Sequence, residues 1–246
     1  SQRDAERVVT KRKLSLTAFR QMLLGLRKWI NKLEPAGTGK TVWQEYSQDN
    51  SYSSDEAQLK RKFITLFTKS ASPKILWDIG CNSGEYSKAA LDAGADSVMG
   101  FDFDHGALDL AFSRASLEGL NFLPLYLDAA NPAPSQGWAQ RERLGLMQRC
   151  NADGIIALAL VHHLAIGKNI PLPSVIDWLV SMAPQGIIEF VQKSDPMVKE
   201  LLRLREDIFD NYNADSFVHA LEERAVIVKS EIVSVSGRQL FWFRRR

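Results

Sequence analysis

Several groups of residues in this 246-residue chain have the types and spacing that suit chemistry. The apolar run Ile75-Leu-Trp-Asp-Ile79 leads into Gly80-Cys81-Asn82-Ser83-Gly84, which reads as a strand, a tight turn and the start of a helix. Glycines allow such a turn to approach a ligand closely, and the following helix offers N–H groups at its start. Val98-Met-Gly-Phe-Asp102 then puts an acid at the end of the next apolar run, about 20 residues on, where a nucleotide-binding unit positions a carboxylate for ribose hydroxyls. Phe103 follows it as a candidate base contact. Phe122–Leu127 reads as a third strand ending in Asp128-Ala129, and Gly154–Val161, which contains Ala159, as a fourth running into His162-His163-Leu164. Glu189 sits inside a further apolar strand, Ile187-Ile-Glu-Phe-Val191, where a carboxylate needs a partner, either a substrate amine or a structural cation such as Lys193.

The turn is a poor match to the Gly-x-Gly-x-x-Gly of dinucleotide sites. Asp78 at the end of the first strand would repel a pyrophosphate, yet it suits a ligand with a cationic amino-acid end. On Asp78, Gly80, Asn82 and Gly84 the chain resembles the class I S-adenosylmethionine-dependent methyltransferases. Asn82 replaces the middle glycine of their first motif and is the side chain that best tolerates left-handed angles. The resemblance implies S-adenosylmethionine as cofactor, held by Asp78, Gly80, Cys81, Asn82 and Gly84 in the turn. Asp102 and Phe103 would hold the ribose and adenine, Asp128 and Ala129 the adenine amino edge, and Ala159 would lie near the methyl. His162 and His163 fall where the transferred methyl would lie, as candidate bases with a pKa near neutral, and leaving a strand in alternation only one would face the cleft. Glu189 is a third catalytic candidate. Aligning the acceptor is the main requirement of methyl transfer, so a base is optional.

A longer set of motifs resembles a bacterial methyltransferase group that includes proteins labelled host-specific nodulation proteins. They are Trp43-Gln-Glu-Tyr46, Asn50-Ser-Tyr52, Gly137-Trp138-x-x-x-Glu142-Arg143, Ala157–Ile166 and Glu189–Met197. The resemblance covers roughly residues 42 to 243 and implies no particular acceptor. Trp43, Tyr46 and Tyr52 are candidates for a lid, and Trp138 for stacking near adenine. Asn131-Pro-Ala-Pro134 lacks the consecutive prolines and aromatic of the amino-methylating DNA enzymes. Neither Cys81 nor Cys150 is placed to act as a cytosine-attacking nucleophile.

The elements that must position these residues alternate. Strands are expected near 74–79, 97–102, 122–127, 154–161 and 186–191, and helices near 84–93, 105–118, 135–149, 172–182 and 196–210. Ala225–Ser234 and Arg238–Phe243 form a closing hairpin. The expected fold is therefore α/β, a doubly wound, mostly parallel seven-stranded sheet with an antiparallel final strand. It would follow an N-terminal helical extension and linker over residues 1–53, leaving 54–246 as the methyltransferase domain. Glu34–Thr41 is read as linker, because a phosphate loop would need glycine at position 34.

Residues 1–70 hold 14 Lys and Arg against 7 Asp and Glu, within a chain of net charge +2. Two cysteines cannot make a disulfide framework, no apolar run approaches the roughly 20 residues that span a bilayer, and no metal-ligand spacing stands out beyond adjacent His162-His163. A cytoplasmic protein with no membrane or metal partner is expected; the sequence opens on Ser1 and not Met, which leaves open whether upstream sequence is missing. Three readings stay open. One is methyl transfer to O or N of an unidentified, small-molecule acceptor. Another is methylation of RNA or protein through the basic arm, which makes nucleic acid the less favoured partner. The third is a noncatalytic S-adenosylmethionine-binding or assembly module.

Overall fold

The computed structural model describes residues 14–33 and 54–246. The chain divides into two compact units, residues 1–38 and 39–246. The expected linker at 34–41 and the aromatic lid candidates Trp43, Tyr46 and Tyr52 lie outside the described residues. In the first unit, helix α1 (Leu16–Ile30) starts at Ser15, whose hydroxyl accepts a hydrogen bond from the Ala18 N–H at 3.1 Å. None of its residues is buried.

The described part of the second unit begins with α2 (Ser54–Ala71), which delivers the chain to β1 (Ile75–Ile79). Then follow α3 (Glu85–Asp92), β2 (Ser97–Asp102), α4 (His105–Glu118) and β3 (Phe122–Tyr126). After a long connection come a short helical turn, α5 (Leu146–Arg149), and β4 (Gly154–Ala157), then α6 (Leu172–Met182) and β5 (Gln185–Phe190). The chain closes with α7 (Pro196–Leu202), α8 (Ala214–Glu222), β6 (Ala225–Ile232) and β7 (Gln239–Arg245). The seven strands form one sheet in the order β3-β2-β1-β4-β5-β7-β6, and β7 alone runs against its neighbours. The order in which strands are added reverses between the parallel neighbours β1 and β4, which opens a crevice at the carboxyl ends of the strands.

Alternation along the strands divides the core in two. Leu76, Ile156, Ile187, Leu240 and Trp242 pack against α2, α3 and α4. Trp77, Ile155, Ile188, Phe190, Phe241 and Phe243 pack with the helices of the other face, α6 and α8 among them. Phe63, Ile64 and Phe67 seat α2 on its side, with Phe67 edge-on to Trp242 at 5.6 Å.

Three expectations are corrected. No helix spans 135–149. Pro132, Pro134, Gly137 and Gly145 break the run, Ala139 and Gln140 take positive φ, and a bridge between Gln136 and Arg143 closes a loop with a 3-10 turn at Trp138–Gln140. The fourth strand stops at Ala157, because Ala159 turns to φ 48° and the chain enters a π-helical turn at His163–Gly167. The helix expected over 196–210 ends at Leu202. Asn213 then caps α8, which buries Phe217, Ala220 and Leu221.

Gly84 shows how tightly the first turn is built. It takes φ 76° ahead of α3, and a Cβ there would overlap the ring of Phe122. Gly84→Ala is expected to cost about 3 kcal/mol in urea denaturation, from the left-handed backbone and the overlap together. Combined with Phe122→Leu it should cost less than the sum of the two single changes.

Candidate active site

A cavity of about 260 Å³ opens at the carboxyl ends of the parallel strands. Its walls are the turn Gly80–Ser83, the end of β2 from Phe101 to Phe103, Tyr126–Ala130 after β3, and Leu158–Leu160 with His162, His163 and Leu164 after β4. Lys60 of α2, Glu85 and Tyr86 of α3, Lys168, Met197 of α7 and Arg238 before β7 also line it.

The turn is satisfied from within. The N–H groups of Gly80 and Cys81 donate to the Phe101 carbonyl at 2.7 and 3.0 Å, and Gly84 donates to the Cys81 carbonyl at 2.9 Å. Asn82 donates to Asp102 Oδ2 at 2.9 Å, and Ser83 donates to Asn82 Oδ1 at 2.7 Å. The five amides therefore have acceptors in the chain, so the turn is not a phosphate nest of the kind a pyrophosphate requires. It presents shape and the Asp102 carboxylate. Asp102 Oδ1 accepts from the Asp104 N–H at 2.9 Å, which leaves each oxygen a further lone pair directed by a fixed side chain, an arrangement that suits adjacent hydroxyls. Burial raises its pKa against the pull of those backbone donors. Phe103 and Tyr126 stand exposed at the rim, with Tyr126 stacked on His105 at 4.9 Å. Asp128 Oδ1 accepts from the Ala130 N–H at 3.0 Å.

Asp78 and Gly84 do not reach the cavity wall. Asp78 is buried behind the turn, where Oδ2 accepts from the Ser87 hydroxyl at 2.6 Å. Burial pushes its carboxyl up to about 7, with Asp102 adding to the rise and Ser87 opposing it.

The opposite wall is held by a cluster of buried charge. Glu189 is fully buried; Oε1 lies 2.8 Å from Lys60 Nζ, and Oε2 accepts from the N–H of left-handed Ala159 at 2.8 Å. Its partner is thus Lys60, with Arg238 at 3.9 Å, and not Lys193, which pairs with Asp207 on the surface. Glu189 is absent from the cavity wall and meets it only through Ala159. Glu56 lies 3.4 Å from Lys60, and Arg238 grips Asp195 through Nε at 2.8 Å and Nη2 at 3.0 Å. Asp195 also caps α7, accepting from the Met197 N–H at 2.9 Å.

His162 and His163 both line the cavity, because they enter a helical turn and do not alternate along a strand. Their rings lie 4.2 Å apart. Burial, then Arg238, pushes His163 down to about 4, and burial with His163, Arg238 and Lys60 holds His162 well below the ordinary imidazole value. Both are neutral and weakly basic at neutral pH, which corrects the expected near-neutral pKa. His162 is fully buried, and neither of its ring nitrogens has a hydrogen-bond partner among the described residues. Trp138 is 85% exposed and not part of the cavity.

Lys60, Tyr126, Met197 and Arg238 are wall residues that sequence reasoning passed over. Lys60 carried a signal: Glu56, Lys60, Phe63, Ile64 and Phe67 recur on one helical face, so a lysine stands among core residues. Arg238 carried none, since its partners lie in remote segments.

The strand order, the reversed seventh strand and a cavity at the switch point between β1 and β4 define the class I methyltransferase fold. Within that class the chain is 45% identical over 234 residues to the nodulation protein NoeA of Rhizobium meliloti strain 1021; the match takes in 95% of this chain and 49% of NoeA, about half its length. No protein-family model matches the chain. Among solved structures, magnesium protoporphyrin IX methyltransferase (ChlM) from Synechocystis PCC 6803 with bound SAH superposes at TM-score 0.56, with 16% identity, over 94% of this chain and 100% of that one. The N-methyltransferase NodS from Bradyrhizobium japonicum WM9 in complex with S-adenosyl-L-homocysteine gives TM-score 0.56 at 13% identity, over 84% and 99%. At these identities the solved structures speak to the fold.

Two outcomes are expected of these buried charges. Glu189→Gln should destabilise the protein by about 3 kcal/mol, and adding Lys60→Met should cost less than the sum, because the second change removes the charge left behind. Asp78 has a folded pKa above its unfolded one, so the folded state holds the extra proton between about pH 4 and 7. The stability Asp78 contributes is present below that window and lost as pH rises through it, by up to about 1.4 kcal/mol per pH unit. Asp78→Asn, measured by denaturation across the window, should flatten this slope.

Proposed function

We propose that this chain binds S-adenosylmethionine in the cavity and transfers its methyl group to an oxygen or nitrogen of a small-molecule acceptor. The observation that carries the reading is the Asp102 carboxylate, fixed through both oxygens at the cavity wall beside a turn whose amides are already satisfied. Such a site takes a ribose and has no cradle for phosphate. Phe103, Asp128 and Ala129 would receive the adenine, and the turn Gly80–Asn82 with Ala159 would flank the rest of the ligand. When bound, the cofactor supplies an electrophilic methyl carbon on a sulfonium.

The chain's own part is alignment. His162, His163, Leu164 and Met197 form a stretch of wall that adds no charge at neutral pH, and the Lys60 and Arg238 cations at the same cavity are paired with Glu189 and Asp195. A weakly basic imidazole orients an acceptor O–H or N–H by hydrogen bonding more readily than it removes the proton. Glu189 is here a positioning residue, acting on the wall through the Ala159 N–H. Two free thiols, Cys81 and Cys150, fit a reducing, cytoplasmic setting.

In a calorimetric titration, S-adenosylmethionine and S-adenosylhomocysteine are expected to bind one to one. Asp102→Ala should weaken both by about a hundredfold, the loss of roughly 2–3 kcal/mol of charge-assisted hydrogen bonding. A folded sample that gives no heat, or a variant that binds as tightly as the parent, would overturn the reading.

A further inference from the structure

Helix α1 carries a surface that the cavity chemistry leaves unused. Projected at about 100° per residue, Leu16, Phe19, Met22, Leu23, Leu26 and Ile30 fill one continuous arc of roughly 120°, with Trp29 at its border. These six side chains are between 43% and 67% exposed. Arg20, Arg27 and Lys28 lie outside the arc, Lys32 follows the helix end, and no Asp or Glu occurs between Leu14 and Leu33.

The two faces together select a partner. A second copy of the chain would accept the apolar arc but bring eight cations together with no acid to offset them. A nucleic acid would accept the cations and leave the apolar arc in water. A bilayer with anionic headgroups takes both, the acyl boundary receiving the arc and the headgroups the Lys and Arg. The 15 residues of α1 extend about 22 Å, short of the roughly 30 Å hydrocarbon core, so the helix is suited to lie in the interface and not to cross it. The expectation of no membrane partner rested on spanning length, which an in-plane helix does not need. We propose that α1 is an in-plane anchor that binds the surface of an anionic lipid bilayer.

The test is cosedimentation of the full chain with vesicles of phosphatidylcholine alone and of phosphatidylcholine mixed with phosphatidylglycerol. The chain should pellet with the anionic vesicles and stay in solution with the neutral ones. Leu23→Glu with Ile30→Glu, both at exposed positions, should lower partitioning more than tenfold while the far-ultraviolet spectrum and thermal transition stay as in the parent. Lys28→Gln with Lys32→Gln should lower it roughly thirtyfold, about fivefold per cation. Vesicle binding that the Glu pair leaves unchanged would overturn the proposal. So would absence of vesicle binding, whether accompanied by a dimer in sedimentation velocity that the Glu pair dissolves or by binding to poly-uridine RNA that survives it.

Discussion

Five buried charged side chains, Glu56 and Lys60 of α2, Glu189 of β5, Asp195 at the cap of α7 and Arg238 ahead of β7, hold one wall of the cavity in a single arrangement. Removing ions from water costs several kcal/mol each, and the cost is recovered only when each partner sits at contact distance. The cluster therefore penalises any displacement of α2, β5, α7 or the turn before β7 relative to the others. Ala159, left-handed and bonded to Glu189, is fixed as a result, and the His162–Leu164 turn follows directly after it.

The two walls of the cavity solve different problems. On the β1–β2 side, backbone amides that could have met a ligand are turned inward to Phe101, Cys81, Asn82 and Asp102, so what reaches the ligand is a carboxylate with spare lone pairs. On the β4–β5 side, burial, with Arg238 at the same wall, keeps two imidazoles neutral. A carboxylate at one end thus faces two neutral imidazoles at the other.

Helix α1 shows the opposite economy. The second unit buries its apolar faces against its own sheet and places its strongest charges inside. In α1 every apolar side chain is in the open and every charge has the same sign. Such a surface is described by what it would adhere to, and the absence of acid along it is as informative as the presence of leucine.

Most of the fold was legible because it rests on local rules. Short apolar runs marked β1, β2, β3 and β5, the glycine turn ending at Gly84 marked a helix start, and a terminal pair of strands with no helix between them required antiparallel pairing. Asp102, the turn from Gly80 and the two histidines were also legible, since each lies at the end of a strand in chain order. What the tertiary structure alone decided was which polar groups meet. Asp78 went behind the turn because Ser87, nine residues on, offered it a hydrogen bond. Lys60 and Arg238 reached Glu189 across 129 and 49 residues of sequence; burial lowered both histidines, with Arg238 adding to it at both and Lys60 at His162. Residue type and spacing along the chain determine elements and the ends of strands; the ionisation of a buried group depends on the charges packed around it, and those come from segments that only folding brings together.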